Sequence, residues 1–218
     1  MMNKTIVIIG AGKGISYETA KNFGLKGYKV ALLSRTLSSL QELESDLAAH
    51  GIIAKGFQGD VSSGSSMKNA LSEVRAAFGD EIEVLLYNAA SIRPGQPTAI
   101  NVEDFVYDFK VNVAGALVAV QEILPFMKRD SGSILLTGGG LALYPSADVA
   151  SLSVGKAGLR NLAYSLNQEL TPKGIFVGTL TINGFVQEDT YFSGDKIAGA
   201  LFKMHEDKGD VEVVYEEA

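Results

Sequence analysis

The sequence predicts an α/β fold, a doubly wound parallel sheet in a single domain. Two observations predict it. Short runs rich in Val, Ile and Leu recur along all 218 residues. Between them apolar residues return every three or four positions, the period of a helix that buries one face. Strict alternation of the two implies βαβ units, whose parallel strands are covered on both sides. No low-complexity linker, repeat or composition break marks a second domain.

The strands are read in order at KTIVII (4–9), KVALL (29–33), IIAKGF (52–57), EVLLY (83–87), SILLT (133–137) and IFVGTLTI (175–182). Leu37, Leu40, Leu43 and Leu47 form one helical stripe, and Met67, Leu71, Val74 and Phe78 another. Leu152, Lys156, Leu159, Ala163, Leu166 and Leu170 share a third helix face. A helix over about 101–128 carries VNVAGALVAV (111–120), apolar all round, so more than the side facing its own sheet must be covered. A neighbouring loop or a second subunit would cover it.

Composition bounds the function. Apolar residues make up 46% and charged residues 20%, an ordinary globular balance. With 19 basic and 25 acidic residues the net charge is −6, which gives no footing for nucleic acid or an anionic membrane. The absence of cysteine excludes disulfides, thiol catalysis and thiolate metal sites. His50 and His205 lie far apart, which argues against a histidine-built metal site. The apolar run Ile6 to Ile9 is too short for a secretion signal, and Val113 to Val120 falls below membrane-spanning length. A cytoplasmic protein with a small-molecule substrate is the expectation.

After the first strand comes GAGKGIS (10–16), opening a helix. Glycines there allow a sharp turn and let backbone approach a pyrophosphate at the helix N-terminus. The spacing is G-x-x-x-G through Gly10 and Gly14, followed by Ile15, rather than G-x-G-x-x-G. The end of the second strand, YKVALLSRT (28–36), holds no acid for a ribose 2′-hydroxyl; the next acid is Glu42. Instead Arg35 follows Ser34, and Lys13 sits inside the glycine turn. Two cations beside one ribose suit a 2′-phosphate, which favours NADP(H) over NAD; the bland alternative is two solvated surface charges.

Together these residues resemble the short-chain dehydrogenase/reductase family over nearly the whole chain. Gly10 and Gly14 match its glycine turn, with Ser16 where a third glycine is usual. Asp60, followed by Val61, corresponds to its adenine-contacting acid, and Asn88 to Ala90, including Ala89, to its N-A-G. Asn112 and Lys156 match its helix asparagine and lysine. Asn183 and Gly184 stand at its P-G turn, with Val186 against the nicotinamide amide. The resemblance implies a Rossmann-type sheet of about seven strands in order 3-2-1-4-5-6-7, VEVVY (211–215) being the last. It also implies a homodimer or homotetramer through the long helices, and a substrate lid over about 187–209.

The family's reaction is hydride exchange between a nicotinamide and a carbonyl or alcohol. A tyrosine gives the proton, a serine steadies the substrate oxygen, and lysine binds the ribose and lowers the tyrosine pKa. By position the serine is Gly139 and the tyrosine is Leu152, so both hydroxyls are missing while Asn112 and Lys156 remain. Tyr17 with Lys21 repeats the tyrosine–lysine spacing by chance, beside the glycine turn. Thr137, Tyr144 and Asp148 are candidate replacements, each with an ordinary local role as its alternative. Lys156 either anchors the ribose or also returns a proton to an activated carbonyl, quinone or conjugated double bond. Glu188 stands where a threonine usually holds the amide, with Thr190 two residues on; Tyr191 and Phe192 form an aromatic wall or pack the lid down. Two functions therefore stay open: an NADP(H)-dependent oxidoreductase with a non-standard proton source, or a catalytically silent NADP(H)-binding protein.

Overall fold

The computed structural model describes residues 4–217. Its sheet contains β1 (Thr5–Ile9), β2 (Lys29–Ser34), β3 (Ala54–Gln58), β4 (Val84–Tyr87), β5 (Ser133–Thr137), β6 (Phe176–Ile182) and β7 (Glu212–Tyr215). All neighbours run parallel, in the order β3-β2-β1-β4-β5-β6-β7. Central strands of such a sheet are dry on both faces and read as continuous apolar runs. Every residue of β1, β4, β5 and β6 is buried. The outer strands β3 and β7 are partly exposed.

Helices α1 (Ile15–Leu25), α2 (Leu37–Ala49) and α7 (Gly194–Asp207) cover one face. Helices α3 (Gly64–Phe78), α4 (Val102–Phe109), α5 (Gly115–Ile123) and α6 (Ala150–Leu170) belong to the other. Each stripe read from the sequence turns inward. Leu40, Leu43 and Leu47 are buried while Leu37 at the helix start is exposed; Met67, Leu71 and Val74 are buried with Phe78 at their edge. On α6, Leu152, Leu159, Ala163, Leu166 and Leu170 are buried, and Lys156 is half-buried among them.

The long helix is not uniform. Between α4 and α5 the residues Lys110–Ala114 form a π-helical segment, which bulges one extra residue into the helix. The bulge sits where α6 comes close: a Cβ at Gly155 would lie 2.6 Å from Asn112 Cβ. Val111, Ala116, Ala119, Val120 and Ile123 are buried within the chain itself, while Val106, Phe109 and Leu117 stay exposed, as does Val154 of α6. By length and composition the continuous helix Val102–Phe126 is apolar enough to cross a bilayer, a longer element than the 113–120 run read from the sequence. In this fold 44% of its most apolar window is buried against the protein, α3 and α6 among the elements it packs on.

At the N-terminal ends of the strands lies a buried polar network. Tyr28 Oη donates to Glu83 Oε1 at 3.1 Å and meets His205 Nε2 at 2.8 Å, while His205 Nδ1 lies 2.8 Å from Ser133 Oγ. Placing the proton on Nε2 satisfies every member: Nε2 donates to Tyr28, and Ser133 donates to Nδ1. Burial lowers the His205 pKa to about 4, helped by Lys208 and Lys4 and opposed by Glu83. An imidazole held neutral when folded but protonated when unfolded makes stability rise with pH between those two pKa values. Stability is therefore complete above about pH 6.5 and declines towards pH 4, by about 3 kcal/mol from this group. Urea unfolding of the chain and of His205→Gln across that range is expected to show a steeper acid loss in the unaltered protein. Parallel curves would remove the histidine from the account.

Candidate active site

A cleft of about 680 Å³ opens at the C-terminal ends of β1, β2 and β4, within the range of small-molecule sites. This is where the strand order reverses, β1 leading to β2 on one side and β4 on the other. Gly10 turns the chain at its floor with φ 84°, and a Cβ there would lie 2.5 Å from Ala89 Cα. Only glycine permits both the left-handed backbone and that approach. Gly10 N and Ala11 N donate to Leu33 O, Asn88 N donates to Ile9 O, and Asn88 Nδ2 donates to Gly10 O. The turn is closed by Ser16, whose Oγ accepts from Gly12 N and so occupies the place of a third glycine with a hydroxyl bracket.

Most of the nucleotide residues read from the sequence meet in this cleft. Gly10, Lys13, Ser34, Arg35, Asp60, Val61, Asn88 and Ala89 all line it; Gly14, also at positive φ, and Ile15 stand just behind the turn at the start of α1. Ser34 Oγ is buried without a hydrogen-bond partner, a donor waiting for a ligand oxygen. Asp60 uses Oδ1 to accept from Ser62 N and Oγ, which fixes the carboxylate and leaves Oδ2 without a partner among the described residues. These features fit the adenosine end of a dinucleotide. Lys13 does not stand free: its Nζ lies 4.0 Å from Glu42 Oε2, which also lines the cleft. Arg35 has no carboxylate partner among the described residues and instead donates from Nη1 to Tyr107 Oη at 3.2 Å. Sequence reasoning missed Tyr107, Ser39 and Val111 as lining residues. Nothing local marks them: Ser39 on α2, Tyr107 on α4 and Val111 in the π-helical segment reach the cleft only through the tertiary fold.

Asn112, Lys156, Gly184 and Val186 are not among the cleft's lining; Asn112 stands behind the lining residue Ser91, and the other three follow β5 and β6 in the chain. Asn112 Oδ1 accepts from Ser91 N at 2.7 Å and its Nδ2 donates to Ser91 O at 3.3 Å, so the amide fixes the chain after β4. Ser91 Oγ donates to Asp108 Oδ1 at 2.6 Å, and Arg93 and Ser151 donate to the same carboxylate. Burial alone would raise the Asp108 pKa, but these hydrogen bonds outweigh it and hold the group below the usual carboxylate range. Lys156 Nζ donates to Thr137 O at 2.7 Å.

Gly139 faces Lys156, a Cβ there lying 3.4 Å from Lys156 Cε, so no hydroxyl stands at that point. Leu152 is packed in the interior. Of the candidate replacements, Thr137 Oγ1 is buried with no partner, Tyr144 is 69% exposed on its loop, and Asp148 is exposed. Hydroxyls on α6 are committed elsewhere, Ser153 to the Ser146 and Val149 carbonyls. Ser151 donates to Asp108, and Tyr164, eight residues past Lys156 and so about 12 Å along the helix, donates to Glu212 Oε2 at 2.8 Å. Glu212 also accepts from Arg160 and Thr181, and chiefly the Arg160 hydrogen bonds lower its pKa to about 2.

Beyond β6, the Phe192 ring fills the space over Gly184. Tyr191 stacks on Tyr215 with centroids 4.7 Å apart, and Phe192 meets Tyr215 edge-on. The aromatic pair thus pins the 187–193 segment to β7, while α7 packs on α1. Thr190 Oγ1 is spent locally, donating to Gln187 O and accepting from Phe192 N. Phe185 points outward, 94% exposed, with Val186 half-exposed beside it.

Residues 4–190 match the model of the family described as short chain dehydrogenase. The chain belongs to that family. Over 192 residues it is 31% identical to cis-2,3-dihydrobiphenyl-2,3-diol dehydrogenase of Pseudomonas sp. (strain KKS102), covering 82% of this chain and 67% of that one. Tropinone reductase-like 3 of Erythroxylum coca is 28% identical over 78% of this chain and 65% of its own length, so the chain spans about two thirds of both. The 3-oxoacyl-(acyl-carrier-protein) reductase FabG of Escherichia coli (strain K12) is 26% identical over 92% of this chain and 82% of its own. Among solved structures, a metagenomic short-chain oxidoreductase in complex with NADP superposes with a TM-score of 0.87 at 23% identity, covering 97% of this chain and 96% of that one.

Burial lowers the Lys156 pKa to about 8, with no carboxylate nearby to restore it. The folded chain then releases a proton that the unfolded chain still holds, so stability rises with pH from about 8 to about 10.5 and the penalty is full below 8. Reductive ¹³C-methylation followed by NMR is expected to show one lysine titrating near pH 8, absent in Lys156→Ala. A titration at the ordinary lysine value would contradict the burial of this ammonium.

Proposed function

We propose that the protein is an NADP(H)-dependent oxidoreductase that works without the family's tyrosine and serine. The observation that carries this reading is at two positions, where hydrogen stands at Gly139 and a buried isobutyl group at Leu152, beside an intact lysine. Ser34, Arg35, Asp60 and Asn88 would hold the adenosine side, and Lys156, Gly184 and Val186 the nicotinamide side. The chemistry supplied by a bound nicotinamide is the giving or taking of a hydride. Arg35 without a carboxylate partner, and the match to a structure holding NADP, support the phosphorylated cofactor.

Loss of a general acid costs about 10²–10⁴ in rate, and loss of an oxyanion donor about 10²–10³. A substrate that tolerates both losses is a small activated carbonyl, a quinone or the corresponding alcohol. Lys156 is the proton source in this reading: one of its three N–H groups goes to Thr137 O, leaving two for the ribose and the substrate side. Asn112 acts through Ser91 as a positioning residue. The same reading gives a small-molecule substrate, no nucleic-acid or membrane partner, and a cytoplasmic site of action. The exposed strip of Val106, Phe109, Leu117 and Val154 supports a homodimer or homotetramer through the long helices.

One observation favours a second reading, a catalytically silent NADP(H)-binding protein: the Lys156 ammonium is drawn to a backbone carbonyl and not to any side chain. Thermal stabilisation by NADPH against NADH, followed by NADPH consumption over a panel of quinones and activated carbonyls, separates the two. Turnover reduced roughly 10²-fold in Lys156→Ala is the expected result. Stabilisation without turnover selects the silent protein. In that case Gly139→Ser with Leu152→Tyr is expected to introduce ketone reduction, because a side chain at Gly139 meets only ordinary contacts with Lys156. If neither dinucleotide stabilises the fold, both readings fail.

A further inference from the structure

The contact between Arg35 and Tyr107 joins residues 72 apart in sequence across the mouth of the cleft. Arg35 follows β2, Tyr107 comes from the last turns of α4, and both line the cavity. An exposed arginine ordinarily samples many rotamers and loses side-chain entropy when a ligand fixes it. Here Arg35 has no carboxylate partner among the described residues, and its single side-chain partner there is a phenol. A neutral acceptor holds the cation in place without cancelling its charge. The backbone beside it is fixed as well: Arg35 O accepts from Gln58 Nε2 at 2.9 Å.

We infer that Tyr107 is a specificity-determining positioning residue: its hydroxyl pre-sets Arg35 as a receptor for a 2′-phosphomonoester on adenosine. This goes beyond the NADP(H) reading while resting on it. The ring of Tyr107, one helical turn before the cleft residue Val111, forms the cleft wall, and the hydroxyl sets the guanidinium. Pre-organisation lowers the cost of binding only for a ligand that uses the arranged group. The effect of the hydroxyl is thus confined to ligands that carry the 2′-phosphate.

Calorimetric affinities of 2′,5′-ADP and 5′-AMP for the full chain, Tyr107→Phe, Arg35→Ala and the double variant test the inference. The unaltered chain is expected to prefer 2′,5′-ADP, and Arg35→Ala to lose that preference. Tyr107→Phe keeps the ring and is expected to weaken 2′,5′-ADP roughly three- to tenfold, the effect of one hydrogen bond, with 5′-AMP unchanged. In the Arg35→Ala background the same change is expected to have no effect on either ligand. Equal weakening of both ligands by Tyr107→Phe, or of neither, overturns the role given to the hydroxyl while leaving the cofactor reading standing. Equal affinity of the unaltered chain for the two ligands overturns the cofactor preference, and the role of Tyr107 with it.

Discussion

The structure depends on one close approach, that of Gly10 to the backbone of Ala89. The ends of β1 and β4 are drawn together there, with no side chain between them. Because β1 also neighbours β2, whose Leu33 carbonyl accepts from both Gly10 N and Ala11 N, three strand ends are tied at one point. The crevice above that knot follows from topology, since connections leave β1 in opposite directions on its two sides. A methyl group on Gly10 would push the two turns apart and take the floor from the cleft. A side chain at Gly12, by contrast, meets open space.

Around this floor the fold sets its frame with buried polar clusters. Asp108 gathers hydroxyls from the chain after β4 and from the first turn of α6, and Ser91 in turn is gripped by Asn112. Glu212 ties α6 to β6 and β7 through Arg160, Tyr164 and Thr181. Each carboxylate is buried, yet hydrogen bonds satisfy it, the condition under which such a group holds a structure together instead of disrupting it. The consequence for the site is that Tyr164 and Ser151 are structural donors.

What the sequence revealed depended on how local each signal was. The central strands were legible because parallel central strands are apolar throughout, the last strand only through the family resemblance, and Leu40, Leu43 and Leu47 because a buried helical stripe repeats. The glycine turn, Arg35 and Asp60 were legible because each sits at a fixed offset from a strand end. Tyr107 and Asp108 gave no such signal. On α4 they read as ordinary helix residues, and only the packing of that helix against α6 and across the cleft gives them partners. The π-helical segment was equally silent; it lies where Gly155 of α6 closely approaches Asn112. Glu212 lies on an edge strand, and its side-chain partners come from 31 to 52 residues away, beyond any local pattern.

In the proposed reading a leucine stands where the family resemblance expects a phenol, and that changes what the neighbouring amine can do. In the family's arrangement the lysine serves a tyrosine that ordinarily titrates near 10. Here Lys156 keeps its place, loses any acidic neighbour, and is brought by burial to about 8. An acid works best with a pKa near the pH at which it operates, and a buried ammonium reaches that range where an exposed one does not. In the proposed reaction a quinone accepting hydride becomes a phenolate, whose pKa is about 10. Proton transfer from an ammonium of pKa about 8 to such an oxygen is downhill by roughly two units, about 3 kcal/mol. A ketone imposes a stricter demand, because its alkoxide is too unstable to form before the proton arrives, and the donor must already be in line with the oxygen. In the family's arrangement a phenol meets that demand by geometry; in the proposed reading the amine, anchored to Thr137 O, would meet the milder one by its acidity.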